Sequence, residues 1–355
     1  MTTLVDGPYN YNEQQAGVCF DFPNAVKIDF LLTFRCNAAC AHCITESNPH
    51  RRESLARDEV LDVLEAGARL GKRYVSFTGG EPFLDYKLLL GLVKTAHDLG
   101  YYVASDTNAF WGRSPERAKR TVAELLEAGL DALFPSADSY HLPWIPLSSV
   151  VNIVTECDRQ GLTCEVNFIP GPDPDLDAKI LDTLALRDRG YFCDGLSLTG
   201  NDVQGLVRLF PHRLAEELTD IGSMHMGVSP RGDVYGNVDI SYDGSEYLGT
   251  PFLLGNLRQE SAQALLEREL ECPTLALARQ ASPRQVHRWL RQDPELGADY
   301  GRELGESRYY SATEFWLALF KSPLRPRIET RLADWGRERR WEDPAEESEG
   351  EVSQP

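Results

Sequence analysis

The sequence predicts an α/β fold in which strand-helix units repeat along one parallel sheet, and three observations carry that prediction. A β-type alternation of Val26, Ile28, Phe30, Leu32 and Phe34 opens the folded region. Gly71, Gly100, Gly129, Gly161 and Gly190 each end a helical pattern, at successive spacings of 29, 29, 32 and 29 residues. An extended run follows each glycine at once. A period near 30 without strong internal identity is what one strand covered by one helix requires.

The elements follow in order. Val60, Val63, Leu64 and Gly67 fall at helical spacing and Gly71 stops that helix. Extended runs are Tyr74 to Phe77, Tyr101 to Ala104, Ala132 to Phe134, Cys164 to Ile169 and Gly195 to Leu198, six strands with the first. Short right-handed connections favour a sheet curled into a full or partial barrel, with function on the loops after strand C-termini. A flat doubly wound sheet has the same periodicity and stays open. After Gly222 the pattern changes: Val228, the turn Pro230-Arg231-Gly232-Asp233, then Val234 and Tyr235 read as a β-hairpin. Leu254-Gly255-Asn256-Leu257 leads into an amphipathic helix near Ser261 to Leu270, and the remainder to Trp341 reads as helical. The expected organisation is an N-terminal extension (1–23), the strand-helix domain (24–222), a hairpin-plus-helices region (223–341) and an acidic, disordered tail (342–355).

Composition narrows the function classes. A chain of 355 residues, 42% hydrophobic, buries one large core and a smaller appendage. Lys and Arg number 36 against 55 Asp and Glu, and a net charge of -19 argues against nonspecific binding to nucleic acid or anionic membrane. Met1 to Pro23 lacks the features of a secretory signal, and no apolar stretch approaches the roughly 18 residues of a membrane helix, so a cytoplasmic protein is expected. Eight cysteines in such a chain read as metal ligands, catalytic groups or buried small hydrophobes rather than a disulfide framework.

Three of those cysteines, Cys36, Cys40 and Cys43, lie within eight residues on the loop after the first strand. Soft thiolates select zinc or iron-sulfur centres, and a four-iron cluster normally takes four cysteines, so three would leave one iron open to a ligand. A zinc site completed by His42 or a distant residue is the alternative from spacing alone. Thr78-Gly79-Gly80-Glu81-Pro82 ends the second strand, where two glycines permit close backbone approach and Glu81 offers an acceptor to a cationic group.

Together and in this order, the Cys-x3-Cys-x2-Cys loop and the Gly-Gly-Glu segment resemble the radical S-adenosylmethionine (SAM) superfamily, over about residues 24 to 222. The resemblance implies a partial (β/α)6 barrel. It implies one 4Fe-4S cluster on Cys36, Cys40 and Cys43, with the methionyl group of SAM on the fourth iron. Reduction then cleaves SAM to methionine and a 5′-deoxyadenosyl radical that abstracts hydrogen from a substrate, with a flavodoxin or ferredoxin-type electron donor as partner. It places Gly80 and Glu81 against the methionyl amine, His42 against the adenine, and Gly79 among the SAM-binding residues. Asp106-Thr107-Asn108 resembles the family's Thr-Asn-Gly segment, with Ala109 in place of the glycine, and brings Asn108 to SAM. Ser136-Ala137-Asp138 resembles its Ser-x-Asp segment, bringing Ser136 and Asp138 to the SAM carboxylate or ribose.

Beyond the barrel, the hairpin, the Leu254-Gly255-Asn256-Leu257 segment and the following helix look like the SPASM or twitch extensions of peptide- and sugar-modifying members, without their cysteines. The expected role is therefore radical tailoring of a peptide, as in maturation of a ribosomally made peptide, or of a natural-product intermediate, by epimerisation, dehydrogenation or cross-linking. A decarboxylase or dehydratase of a small sugar or nucleoside is the second reading, and a non-catalytic iron-sulfur or zinc protein the third. Cys157, Cys164 and Cys193 read as core residues, and the placement of Cys19 is open. Tyr140, His141, Asn201, Asp202, His225 and Asp239 are candidates to bind substrate or move protons, His141 first. Cys272 is the thiol left to return a hydrogen atom in an epimerisation, although Glu271-Cys272-Pro273 simply ending a helix is the plainer reading. Arg51 and Arg52 form a local basic spot suited to an acidic electron donor.

Overall fold

The computed structural model describes residues 23–185, 192–193, 212–219, 224–237, 244–309 and 311–338. Cys19, the sixth extended run Gly195 to Leu198, Asn201, Asp202, Asp239 and the acidic tail lie outside the described residues. The fold is mixed α/β on a parallel sheet. Strands β1 (Lys27–Thr33), β2 (Tyr74–Gly79), β3 (Tyr102–Thr107), β4 (Ala132–Pro135) and β5 (Thr163–Cys164) lie side by side in that order, all parallel. Between them run α1 (Arg57–Arg69), α2 (Tyr86–Asp98), α3 (Pro115–Ala128) and α4 (Leu147–Gln160).

The periodic glycines work as helix stops. Gly71, Gly100, Gly129 and Gly161 have φ of 90°, 86°, 91° and 81°. At Gly129 the left-handed residue lets its own N–H reach the Leu126 carbonyl (3.0 Å) and that of Leu130 reach Leu125 (2.9 Å), closing α3 before β4 begins. At the other end Ser114 caps α3 by accepting from the Arg117 N–H (3.2 Å), with Pro115 at the first helical position.

The expected strand from Cys164 to Ile169 is two pieces. After β5 the chain steps away at Glu165 and Val166, and β6 (Asn167–Phe168) pairs in parallel with β7 (Phe192–Cys193) in a separate two-stranded sheet. Helix α5 (Pro174–Thr183) lies between them in sequence. One bridge, Ser136 to Asn167, ties the end of β4 to β6.

Past β8 (Arg213–Leu214), the hairpin segment continues the main sheet. Strand β9 (Met226–Val228) runs parallel to β1 on the side away from β2, and β10 (Asp233–Tyr235) and β11 (Leu253–Asn256) add on antiparallel. The sheet's two faces differ. Ile28 and Phe30 are fully buried on the helix side, where a Cβ on Gly67 of α1 would meet Ile28 Cδ1 at 2.9 Å. Lys27, Asp29, Leu31 and Thr33 alternate onto the other face.

Two compact units result, 1–211 with 225–268, and 212–224 with 269–355. In the second, β8 pairs with β12 (Arg308–Tyr309). Its core gathers Phe315, Trp316, Leu319 and Phe320, all at most 2% exposed. A buried ion pair joins Arg279 to Glu269, and Arg279 also donates to the Met224 carbonyl (2.9 Å). No helix among the described residues is long and apolar enough to cross a membrane.

Candidate active site

The cysteine loop leaves β1 at Thr33 and is pinned back on itself by Phe34 N–H to Glu53 O (3.0 Å), Cys36 N–H to Asn48 O (3.2 Å) and Leu55 N–H to Leu32 O (2.9 Å). Cys36 and Cys40 are 7% and 6% exposed, and Cys43 is half-buried. N–H donors address the sulfurs: Ala38 N and Asn108 Nδ2 each lie 3.4 Å from Cys36 Sγ, and Ser47 N lies 3.3 Å from Cys43 Sγ. Burial, with the Glu81 charge behind it, pushes the Cys36 thiol up to about 12. A thiolate there calls for a bound cationic centre, which soft, buried, N–H-bonded sulfurs suit.

The Gly-Gly-Glu turn is welded to this loop. Gly79 has φ of 125°, and a Cβ on it would lie 2.5 Å from the Thr33 carbonyl oxygen. On Gly80 the Cβ would lie 2.3 Å from the Arg35 oxygen. The close approach lets Gly80 N–H reach Thr33 O at 2.6 Å and Glu81 N–H reach Arg35 O at 3.0 Å. Only glycine permits that contact.

Glu81 is fully buried and reaches the next strand. Its carboxylate accepts from Phe83 N (3.1 Å), Thr107 Oγ1 (3.0 Å) and Asn108 N (2.6 Å). Burial raises it to about 7 against those three hydrogen bonds. Asn108 completes the circuit by donating to Asn37 Oδ1 (2.8 Å) as well as to Cys36 Sγ. Thus the loops after β1, β2 and β3 are one hydrogen-bonded body. Sequence reasoning assigned Glu81 to a ligand amine and did not see this tie. Ala109, standing where the resembling motif has glycine, keeps the turn with φ of 67°.

The loop after β4 supplies a second group. Asp138 accepts from His141 Nδ1 (2.9 Å) and faces His42 Nε2 at 3.8 Å. His42 stacks on Tyr140 with centroids 4.7 Å apart and meets the edge of His141 at 4.9 Å. Burial depresses His42 to about 4, with Asp138 opposing. In His141 burial is overcome by the Asp138 charge and hydrogen bond and by a hydrogen bond to Cys40, which hold it well above the usual imidazole range. Asp138 resists its burial through the same two histidines and sits below the usual carboxylate range. Ser136 joins through its backbone, N–H to Thr107 O at 2.8 Å.

The three cysteines, His42, Gly79, Gly80, Glu81, Asn108, Ser136, Asp138 and His141 therefore share one continuous network at the C-terminal ends of β1 to β4. Cys272 lies in the second unit, half-buried at the N-terminus of a short helix (Pro273–Ala278). Cys157 is fully buried, as expected of a core residue, whereas Cys164 is half-buried. Arg51 is committed to Glu53 (2.9 and 3.0 Å) and lies over the Phe34 ring, and Arg52 donates to the Pro49 and Arg51 carbonyls. Sequence reasoning missed Asp29, Ser76 and Asn167, and took Asp106 only as the start of the Thr-Asn segment. The signal for three of them was a polar residue at one phase of three consecutive strands.

Comparison with known proteins agrees with this geometry. Residues 30–186 match the Radical SAM superfamily. The putative peptide biosynthesis protein YydG of Bacillus subtilis (strain 168) is 33% identical over 124 residues, 35% of this chain and 39% of that protein. A GTP 3′,8-cyclase of Listeria monocytogenes serovar 1/2a is 33% identical over 119 residues, 31% of this chain and 32% of the cyclase. The matches thus span well under half the length of either relative. Among solved structures, native anSMEcpe with bound AdoMet and Cp18Cys peptide aligns with a TM-score of 0.47 and 11% identity, covering 87% of this chain and 99% of that one. Streptococcus suis SuiB bound to precursor peptide SuiA aligns with a TM-score of 0.42 and 14% identity, covering 73% and 67%. With its cysteine loop, Gly-Gly-Glu turn and strand order in place, residues 30–186 form a radical SAM domain.

Proposed function

We propose that the chain holds one 4Fe-4S cluster on Cys36, Cys40 and Cys43, binds SAM beside it, and modifies a peptide by radical chemistry. The observation that carries the reading is the network from Cys36 through Asn108 to Glu81, which holds the cysteine loop rigidly against the turns that would bind SAM. When bound, the cluster supplies the electron that cleaves SAM to methionine and a 5′-deoxyadenosyl radical. The chain's own residues bind and orient. The Gly79-Gly80 turn, braced by Glu81, would hold the methionyl end; Ser136 and Asp138 would hold the carboxylate or ribose; His42, held neutral by burial and stacked on Tyr140, would pack against the adenine. His141 keeps its proton through Asp138 and is the group placed to hold or deliver one.

A peptide substrate is supported by the name of the Bacillus relative, a putative peptide biosynthesis protein. Epimerisation, dehydrogenation and cross-linking are all compatible with the site, and a small sugar or nucleoside substrate is the second reading, favoured by the GTP 3′,8-cyclase match over a similar length. A single zinc ion on the same thiols has less support. Among the described residues the ligand atoms that converge within 4.8 Å are those of His42, Asp138 and His141, not the three sulfurs. The electron donor is a flavodoxin or ferredoxin-type protein, for which the exposed Arg52 and the Glu53-paired Arg51 offer a basic spot.

Anaerobic reconstitution tests the reading. About four irons per chain are expected, with slow cleavage of SAM to 5′-deoxyadenosine on reduction and loss of that product in Cys40→Ala. One zinc per chain, or deoxyadenosine formation that survives Cys40→Ala, would overturn it.

A further inference from the structure

On the sheet face turned away from the helices, the first three strands present a row of polar groups that the site above does not use. Asp29 of β1 is the register partner of Ser76 of β2, whose own partner on β3 is Ala104, and Asp106 lies two residues further on the same face. Asp106 accepts from Ser76 Oγ (3.1 Å), from Asn167 Nδ2 (2.9 Å) and from Thr78. Asp29 Oδ2 pairs with His225 Nε2 at 3.0 Å. Thr78 immediately precedes Gly79, and Asp106 immediately precedes Thr107 and Asn108. The row therefore begins one residue below the groups assigned to SAM.

Two features make the row more than a packing device. The first is a carboxyl, Asp106, held by neutral donors and costly to ionise. Burial and the nearby Asp29 charge together raise Asp106 to about 7, and among the described residues His225 is the sole basic group in an ion pair with either carboxylate. Ionising Asp106 in that surrounding costs free energy that the hydrogen bonds from Ser76, Thr78 and Asn167 only partly offset. The second is unused hydrogen-bonding capacity. Asp29 Oδ1 and His225 Nδ1 are both buried without a partner, and His225 is only 9% exposed.

We propose that Asp29, Asp106 and His225 form a substrate subsite that takes a protonated amine or guanidinium, such as the end of a lysine or arginine side chain of a peptide. An N–H of that group donates to Asp29 Oδ1, its charge offsets the field of both carboxylates, and His225 fixes the orientation of Asp29 from the other side. The occupant is an organic cation rather than one metal ion: among the described residues these three side chains are not a ligand set converging within 4.8 Å. This deepens the peptide-modifying reading, and rests on it, by naming the chemistry of the group held below SAM.

The test is a titration of the full-length, anaerobically reconstituted protein, read by ligand-observed NMR. The probes are N-acetyl-lysine methylamide and its uncharged analogue N-acetyl-norleucine methylamide, which lacks the ammonium group. The lysine derivative is expected to bind at least tenfold tighter, and Asp29→Asn and Asp106→Asn, which keep shape and remove charge, are each expected to cut that preference at least tenfold. Equal affinity for the two probes, no saturable binding of the lysine derivative, or an undiminished preference in either variant would overturn the proposal. The comparison of probes on the unmodified protein decides it even where a variant folds poorly. Binding needs no turnover, so failure here is distinguishable from failure to cleave SAM.

Discussion

Replacing Gly80 by alanine adds one methyl group where there is no room for it. The new Cβ would lie 2.3 Å from the Arg35 oxygen and 2.7 Å from its carbonyl carbon. Ordinary contact begins near 3.4 Å, so the ends of β1 and β2 must separate by about 1 Å. Overpacking of that kind costs about 1–3 kcal/mol. Separation also breaks or lengthens the hydrogen bonds from Gly80 N–H to Thr33 O and from Glu81 N–H to Arg35 O, each contributing about 1 kcal/mol. The expected loss is about 2–5 kcal/mol, and because Arg35 adjoins Cys36, cluster occupancy should fall with it. Gly91, in the interior of α2 with open space around its Cβ position, is the matched control, where alanine should stabilise by about 0.5–1 kcal/mol. Denaturant unfolding and iron content of the reconstituted variants provide the assay. Wild-type stability with full iron in Gly80→Ala would refute the argument that the two loops form one body.

Three further outcomes are expected. Ala109→Gly, relieving a left-handed alanine at φ of 67°, should raise stability by about 1 kcal/mol in thermal unfolding, and no gain would mean the turn is unstrained. Asp106 is raised from 3.8 to about 7, so the stability it contributes is present below about pH 4 and is lost as pH rises through 7, up to about 4 kcal/mol at about 1.4 kcal/mol per pH unit. Asp106→Asn should therefore gain on the wild type between pH 5 and pH 8 in denaturant midpoints, and a difference independent of pH would exclude a shifted Asp106. Asn108→Ala removes an N–H donor from Cys36 Sγ and should move the cluster's midpoint potential to more negative values in a redox titration, an unchanged potential arguing against that hydrogen bond in the holoprotein.

The sheet was legible because its signals are local. A helix stop is set by a few residues around a glycine, and the spacing of four such stops, Gly71 to Gly161, counts strands that then lie in sequence order. The reading lost detail where the determinant is not local. Nothing in Thr163 to Phe168 marks the step at Glu165 and Val166. That step exists because β4 pairs with β5 through Leu133 and Cys164, while the next contact, Ala137 N–H to the Asn167 carbonyl at 2.9 Å, belongs to a different sheet. The hairpin after Met224 was likewise readable as a hairpin, but its seat beside β1 depends on Ile28, Asp29 and Phe30 meeting Met226, Gly227 and Val228 across nearly two hundred residues.

The site divides in the same way. Cys36, Cys40, Cys43, Gly79, Gly80 and Glu81 stand in two short runs whose order is itself the signal, and they were singled out as candidates without coordinates. What held them together was not found, because the carboxylate of Glu81 acts on Thr107 and Asn108, residues 26 and 27 positions away. Asp29 and Asp106 escaped for a different reason. On a strand with one face against helices and the other against solvent, alternate polar residues are the ordinary pattern, so Asp29 looks like an exposed aspartate. Only where such a carboxylate is shielded from water, as Asp106 is, does it become costly, and then its pairing with three neutral donors, and that of Asp29 with His225, requires an explanation. Burial on that face depends on the whole sheet, which is why it is invisible in any single strand.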